Sequence, residues 1–224
     1  DYLVNKIPVA TFGSEWVILA TARSHVQFPT NYYDNYLASV AETLKASNGV
    51  LEGPRTEHSR LILALSAIGV DAKNVGGYNV FAPLHDFEKV TSQGINGAIF
   101  ALLAFNAQNY NPSVAQLNRV ASLTDVAATT VTTREKLVDY IVEKELANGG
   151  FALSGTKADP DITAMALQAL APYKADADVQ PVINRTLTKL SAMQLENAGY
   201  ISAGAENVQS AAQVLIALSA LDID

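Results

Sequence analysis

The chain has 224 residues, 49% of them hydrophobic and 17% charged, with a formal net charge of −7. This length and composition are typical of a globular protein with a substantial core and exclude a disordered chain. The apolar stretches are too short to cross a bilayer, basic residues do not cluster, and cysteine is absent. We therefore expect no membrane insertion, no nucleic-acid partner, no disulfide and no thiolate chemistry.

Ten helices of two alternating types are predicted along the chain. Amphipathic helices with one apolar stripe are predicted near 1–8, 31–47, 82–91, 132–147 and 178–195. Helices that are apolar nearly all round are predicted near 14–25, 57–69, 94–107, 159–173 and 206–221. A striped helix lies on the outside of a fold and a wholly apolar one is enclosed, so we call them outer and inner helices. Residues 109–131 are predicted as a long connection, and no strand is predicted.

This contrast predicts burial for two inner segments, Thr163–Leu170 and Leu215–Leu221. It predicts exposure for four charged side chains of outer helices, namely Lys136, Glu143, Arg185 and Lys189.

A short turn recurs between outer and inner helices. Asn148-Gly149-Gly150-Phe151 returns 49 residues later as Asn197-Ala198-Gly199-Tyr200, and a degraded copy, Asn48-Gly49-Val50-Leu51, lies 100 residues earlier. Gly149, Gly150 and Gly199 are predicted to have positive φ, and Phe151 and Tyr200 to fill the core behind the turns. Repeats of this length indicate a closed or open helical array. We predict an all-α fold, a single α/α toroid over residues 1–224 with about five outer/inner pairs; an open superhelical solenoid is the alternative.

The turns and five further stretches resemble a known superfamily. Gln194 and Tyr200 have the spacing of the Gln-x5-Trp repeat found in the α/α toroid of terpenoid cyclases and protein prenyltransferase β subunits; Glu145 and Phe151 have the same spacing. The stretches GSEWVILATARS, TEHSRLILALSAIG, NVGGYN, QGINGAIFALLA and ADPDITAMALQALAPY are similar to toroid modules of secreted or surface proteins of Gram-positive Firmicutes. The toroid half of vitamin B12 carriers is also similar.

This resemblance implies a secreted or cell-surface location and no catalytic cofactor, with a corrinoid as a ligand implied by the resemblance alone. Because the chain begins at Asp1 without a methionine, we also expect a processed protein or part of a longer one with further domains.

Asp159-Pro160-Asp161-Ile162-Thr163-Ala164 resembles the Asp-x-Asp-Asp-Thr-Ala motif of class II terpene cyclases. The resemblance implies that Asp161 would protonate an alkene, with Asp159 beside it, but Ile162 replaces the next aspartate. The structural alternative is a helix start, with Asp159 as N-cap, Pro160 in the first turn and Asp161 at the positive end of the helix dipole. We favour the helix start.

The candidate binding residues lie mainly where inner helices begin, because toroid pockets form there. They are Glu15, Trp16, Glu57, His58, Arg60, Tyr78, Gln93, Asn96, Asp159, Asp161, Tyr200 and Gln209. Caps, ion pairs and core packing are the structural explanations for the same residues, and Gly76–Asn79 is predicted to be a turn rather than a phosphate loop. The N–H groups of the helix starts favour an anionic or polar ligand. No metal site is expected, because His25, His58 and His85 lack ligand spacing.

Three functional classes remain open. The favoured one is a non-catalytic secreted or surface module that binds a small molecule or a protein at the mouth formed by the inner-helix N-termini. The alternative is a class II terpene-cyclase-like enzyme with Asp161 as proton donor, and the third is a structural spacer. Similarity of fold alone does not separate them.

Overall fold

A computed structural model describes residues 6–24, 28–29, 31–112 and 131–223. The described chain is mostly helical, which confirms the all-α prediction. The helices are α1 Glu15–Ala22, α2 Tyr32–Ala46, α3 Thr56–Ala67, α4 Phe87–Thr91, α5 Ile95–Ala107, α6 Arg134–Glu143, α7 Pro160–Leu170, α8 Val179–Met193 and α9 Val208–Ala220. Two short 3-10 helices cover Ala82–His85 and Ala171–Tyr173.

The predicted helices agree with the observed ones except near 82–91, where one predicted outer helix is two short segments. Asp86 has extended backbone between them, and its Oδ1 accepts a hydrogen bond from the Lys89 amide at 3.1 Å. Asp86 therefore caps a new helix instead of continuing the old one. Residues 1–5 of the first predicted helix, His25, and residues 113–130 of the predicted connection lie outside the described residues.

One hairpin contradicts the prediction of no strands. β1 Ile201–Ser202 pairs antiparallel with β2 Ala205–Glu206. Ala203 and Gly204 between them have φ of 51° and 85°, the two positive values of a type I′ turn. Strands of two residues are too short to produce the alternation from which a strand is predicted.

Contacts divide the chain into two compact units. Unit 1 comprises residues 1–90 and 107–132, and unit 2 comprises residues 91–106 and 133–224. In unit 1, α1 packs against α3, and α2 buries a stripe formed by Tyr32, Tyr36, Val40 and Leu44. In unit 2, α7 packs against α8, α9 and β1. No helix among the described residues is both long and apolar enough to cross a membrane.

Burial in α7 confirms the predicted inner helix, since Thr163–Leu170 is buried apart from the half-buried Met165 and Gln168. The same prediction for Leu215–Leu221 is wrong, because α9 packs by one face only. The side chain of Leu215 is 67% exposed, and Ile216 lies beside it on the exposed face. Helix α1 likewise leaves Trp16 52% exposed, although it was predicted to be enclosed. Apolar composition permits burial, but burial also requires neighbours on every side.

The outer helices present charge to solvent, as predicted for Glu143 and Arg185, which are exposed. Lys136 and Lys189 are only half-buried rather than fully exposed. Lys189 lies over the repeated turn: a Cβ at Gly149 would lie 3.5 Å from its Cβ, and one at Gly150 would lie 3.1 Å from its Cγ. The methylene groups of Lys189 therefore cover the turn, while its ammonium group remains in contact with solvent.

The repeated turn has the same hydrogen bonds in both copies within unit 2. Leu146 donates its amide to the Gly150 carbonyl at 3.0 Å, and Leu195 donates to the Gly199 carbonyl at 3.0 Å. Phe151 and Tyr200, which follow these turns, are both buried, as predicted. The two copies are therefore structural repeats as well as sequence repeats.

Gly149 and Gly150 have the predicted positive φ, but the prediction for Gly199 is wrong. The positive φ in that copy belongs to Ala198, at 64°. A Cβ at Gly199 would meet the Glu206 carboxylate, which is the end of an exposed and flexible side chain that can move aside.

Candidate functional site

The degraded copy of the turn forms one wall of a cavity in unit 1. Helix α2 ends at Ala46, and the chain then reverses through Asn48 and Gly49, whose φ values are 49° and 78°. Leu51 after the turn is buried, and its amide donates to His58 Nε2 at 3.0 Å. This bond joins the turn to α3 in the way that the Phe151 amide, donating to Thr163 Oγ1 at 2.9 Å, joins its turn to α7.

His58 can accept that bond only while Nε2 is unprotonated. Burial, and then the positive charge of Arg55, lower its pKa from 6.5 to about 4. The ring is therefore neutral near pH 7. Its other nitrogen, Nδ1, is buried and has no hydrogen-bond partner among the described residues. His58, a predicted binding residue, is fully buried and holds the turn instead.

A second turn forms the opposite wall. Val75 and Tyr78 exchange backbone hydrogen bonds of 2.9 and 3.1 Å across Gly76 and Gly77, which both have positive φ. This confirms the predicted turn at Gly76–Asn79. The Tyr78 ring lies against Gly49, where a Cβ would come within 2.6 Å of Tyr78 Cδ1. Only glycine at position 49 allows the ring this approach.

Three stacked rings, which do not line the cavity themselves, support the segment next to it. Tyr110 lies parallel to Phe81 with ring centroids 3.9 Å apart, and it hydrogen-bonds His85 Nε2 through its hydroxyl at 2.7 Å. Burial lowers the pKa of His85 from 6.5 to about 4. The stack fixes the 3-10 helix Ala82–His85, whose first two residues line the cavity.

We call the space between these walls the turn pocket. Its volume is about 460 Å³, which lies within the range of small-molecule sites. Val50, which is 48% exposed, contributes apolar surface together with Ala82, Pro83 and the Tyr78 ring. The remaining lining residues are Asn48, Gly49, Arg55, Gly77, Asn79, Asp86 and Lys89.

The charged side chains of the turn pocket differ in whether they form ion pairs. Lys89 Nζ lies 3.7 Å from Asp86 Oδ2, so the lysine and the aspartate form a loose pair. Arg55 forms no ion pair with the described residues, and its Nε is buried without a hydrogen-bond partner there. Two cations and one anion leave a local charge of +1 in a chain whose net charge is −7.

Three predicted binding residues of unit 1 meet in a separate cluster. Glu15 is buried and accepts hydrogen bonds from the Gly13 amide at 2.8 Å, the Tyr36 hydroxyl at 3.3 Å and Arg60 Nε at 3.1 Å. Arg60 also bonds Glu57. Burial and the Glu15 charge raise the pKa of Tyr36. These bonds join α1, α2 and α3 through the side chains of the cluster.

The predicted residues of unit 2 do not form one site. Asp159 Oδ1 accepts from the Asp161 and Ile162 amides at 2.9 and 3.1 Å, and its Oδ2 accepts from the Ser202 hydroxyl at 2.6 Å. Asp159 is therefore the N-cap of α7, as favoured above. Asp161 is half-buried, and its Oδ1 has no hydrogen-bond partner among the described residues.

The other candidates of unit 2 lie apart from this cap. Tyr200 lines a largely apolar groove of about 370 Å³ between α8 and α9. Gln93 and Gln209 are exposed, and Asn96 is half-buried. The expectation that inner-helix N–H groups await an anion fails at α7 and α9, because Asp159 and Asn207 cap them.

Of the predicted residues only Tyr78 lines the turn pocket; Asn48, Arg55, Asn79, Asp86 and Lys89 were missed. One signal was present. Arg55 directly precedes α3, and a cation at the positive end of a helix dipole is unfavourable. The helix itself therefore gives no reason for an arginine at this position, which points to a role in its surroundings.

No family model, curated protein or solved structure matches the chain. No group of three His, Asp or Glu side chains suited to a metal ion occurs within the described ranges. A corrinoid, with its macrocycle and nucleotide tail, is bulkier than the turn pocket, so this cavity does not fit the ligand that the toroid resemblance implies.

Proposed function

We propose that the chain is a non-catalytic binding module that takes a small, partly apolar molecule in the turn pocket. The observation that carries this is a cavity of about 460 Å³ with an aromatic wall, apolar side chains and an arginine, one nitrogen of which is buried without a hydrogen-bond partner among the described residues. Binding sites typically combine apolar walls with a few fixed polar groups. Two buried hydrogen-bonded histidines and a ring stack hold the walls in place, which favours binding without rearrangement.

The wider setting belongs to the same proposal. The alternation of helix types and the repeated turns support an α/α toroid, and the resemblance to surface modules supports a location outside the cell. Solution scattering tests the first, and fractionation of cells that make the full-length protein tests the second.

The cyclase-like alternative receives less support. Asp159 has both carboxylate oxygens bonded within the chain, and Ile162 stands where the motif has a further acid. Neither Asp159 nor Asp161 lines the two cavities described above.

Blocking the turn pocket tests the proposed function. Ala82 is exposed and lines the pocket, so Ala82→Phe would place a ring inside it without disturbing the core. Ala177→Phe is the matched control, because Ala177 is also exposed and lies in unit 2. Saturation-transfer NMR with a library of small aromatic and aliphatic fragments should detect binders that Ala82→Phe abolishes and Ala177→Phe retains. Fragments that bind both variants equally, or no binders at all, would refute the proposal.

A further inference from the structure

The position of Arg55 carries an inference about the chemistry of the ligand, and it rests on the proposed function of the turn pocket. The three basic or acidic side chains of the pocket are Arg55, Asp86 and Lys89. Asp86 accepts from the Lys89 amide at 3.1 Å and lies beside the Lys89 ammonium, so its charge is directed toward α4. Arg55 is the cation that no carboxylate among the described residues neutralises.

A buried guanidinium nitrogen without an acceptor lowers stability, because the group loses water and gains nothing in return. The location adds to this cost, since Arg55 occupies the N-terminal end of α3, where the helix dipole repels a cation. The charge of Arg55 also lowers the pKa of His58. A ligand anion beside the guanidinium would offset the unfavourable position of this cation at the helix start.

The chain itself shows which anion such an arginine binds well. In unit 2, Arg185 donates from Nε and Nη2 to the two oxygens of Glu145, at 3.0 and 2.6 Å. This is the two-pronged geometry by which a guanidinium recognises a carboxylate. Arg55 lines the turn pocket, and no carboxylate among the described residues forms an ion pair with its guanidinium.

The rest of the lining limits the ligand further. Asp86 disfavours a second negative charge, and thus a phosphate dianion, while the Tyr78 ring, Val50 and Pro83 favour an apolar body. We propose that the turn pocket selects a small organic monocarboxylate with an aromatic or aliphatic body, and that Arg55 binds its carboxylate.

Three probes of equal shape separate charge from shape: phenylacetate, its neutral amide phenylacetamide, and the cation 2-phenylethylammonium. Titration calorimetry of the whole chain should rank them in that order of affinity. Arg55→Met, which keeps the length and removes the charge, should weaken phenylacetate binding about tenfold or more, since hydrogen bonds to charged groups are the strong ones. Arg55→Lys should recover only part of the lost affinity, because lysine lacks the planar guanidinium that donates two parallel hydrogen bonds to a carboxylate.

Phenylacetamide should bind the parent and Arg55→Met alike, and Arg185→Met should bind phenylacetate as the parent does. Equal affinity of the parent for phenylacetate and phenylacetamide would overturn the carboxylate inference without needing any variant. If both probes bind and Ala82→Phe blocks both, the proposed function survives that result. If neither probe nor any fragment binds, the inference and the proposed function fail together. A preference for phenylacetate that Ala82→Phe leaves intact places the anion site elsewhere and also overturns the inference.

An independent readout follows the neighbouring histidine. Because the Arg55 cation lowers the pKa of His58, saturation with phenylacetate should raise that pKa, and Arg55→Met should raise it without ligand. NMR titration of the His58 ring measures both. A pKa that is unmoved by phenylacetate at saturation would show that the carboxylate does not reach Arg55.

Discussion

Two copies of one turn, at residues 48–51 in unit 1 and 148–151 in unit 2, place an arginine in different situations. Beside the second copy, Arg185 is 56% exposed and bonded to Glu145, whose side chain is only 11% exposed. Beside the first, the Nε of Arg55 is buried and has no partner among the described residues. In both copies a backbone amide after the turn donates a hydrogen bond to a side chain of the following helix. The two copies therefore share this backbone arrangement but differ in whether the arginine has an ion-pair partner. In a repeat array, a candidate functional residue is one whose bonding partner is present in another copy of the repeat and absent from its own.

The largest expected effect tests whether the two turns are equivalent scaffolds. Phe151→Ala should lower the free energy of unfolding by about 3–5 kcal/mol, and Leu51→Ala by about 2–5 kcal/mol, because both side chains are buried behind a turn. Denaturant unfolding measures each, with Leu153→Ala as the control, since Leu153 is exposed. A midpoint for Leu51→Ala equal to that of the control would break the equivalence.

Acid should destabilise unit 1 more than unit 2. His58 and His85 have pKa values lowered to about 4, and unit 2 contains no histidine. The unfolded chain binds these protons near pH 6.5 and the folded chain only near pH 4, so stability present above pH 6.5 is lost as the pH falls through this window. The loss approaches about 3 kcal/mol per histidine.

Amide hydrogen exchange at pH 7 and pH 4.5 measures this effect separately for each unit. Amides of α3 should lose protection at the lower pH more than amides of α7. Equal losses in both helices would show that the histidines do not govern the acid response.

The caps provide a smaller contrast. Asp159→Ala should lower the free energy of unfolding by about 1 kcal/mol, because the α7 amides lose their acceptor. Asp161→Asn should cost less, since its Oδ1 has no partner among the described residues. Thermal unfolding of both variants checks the order. The reverse order, together with cyclised product from a linear polyprenyl substrate that Asp161→Asn abolishes, would favour the cyclase alternative.

The smallest expected effect concerns the paired arginine. Arg185→Met should leave the denaturant midpoint nearly unchanged, because the arginine of this ion pair is more than half exposed and such pairs contribute little. Glu145→Gln should behave in the same way. A large loss of stability in either variant would mean that the pair holds the second turn, and Arg185 would then no longer serve as a control for Arg55.

The elements of this fold could be predicted from the sequence because their patterns are local. The stripe of α8 and the nearly all-round apolar surface of α7 indicate helices whatever surrounds them. The burial of α9 could not be predicted in the same way, since Leu215 is as apolar as Leu167 but only the latter has neighbours on its side of the helix. An apolar side chain can be buried, but whether it is buried depends on the elements that pack around it.

The candidate site was predictable only in part for a similar reason. Tyr78 was singled out by its glycine turn, and Arg55 stands beside a predicted helix start. Yet Lys89 and Asn48 are brought to Arg55 by the folding of distant segments, which no spacing reveals. The candidate residues Glu15, Glu57 and Arg60 lie together, but as bonded partners of one another.

The contact between Gly49 and the Tyr78 ring constrains how this protein can vary in evolution. Position 49 has no room for a Cβ while a ring stands at position 78, and its positive φ disfavours other residues as well. Among relatives that keep the turn pocket, glycine at 49 and an aromatic residue at 78 should be inherited together. Lineages that lose the ring are free to replace the glycine by asparagine, which tolerates positive φ. Such paired replacement would mark, in sequences alone, the branches where the wall of the pocket has been lost.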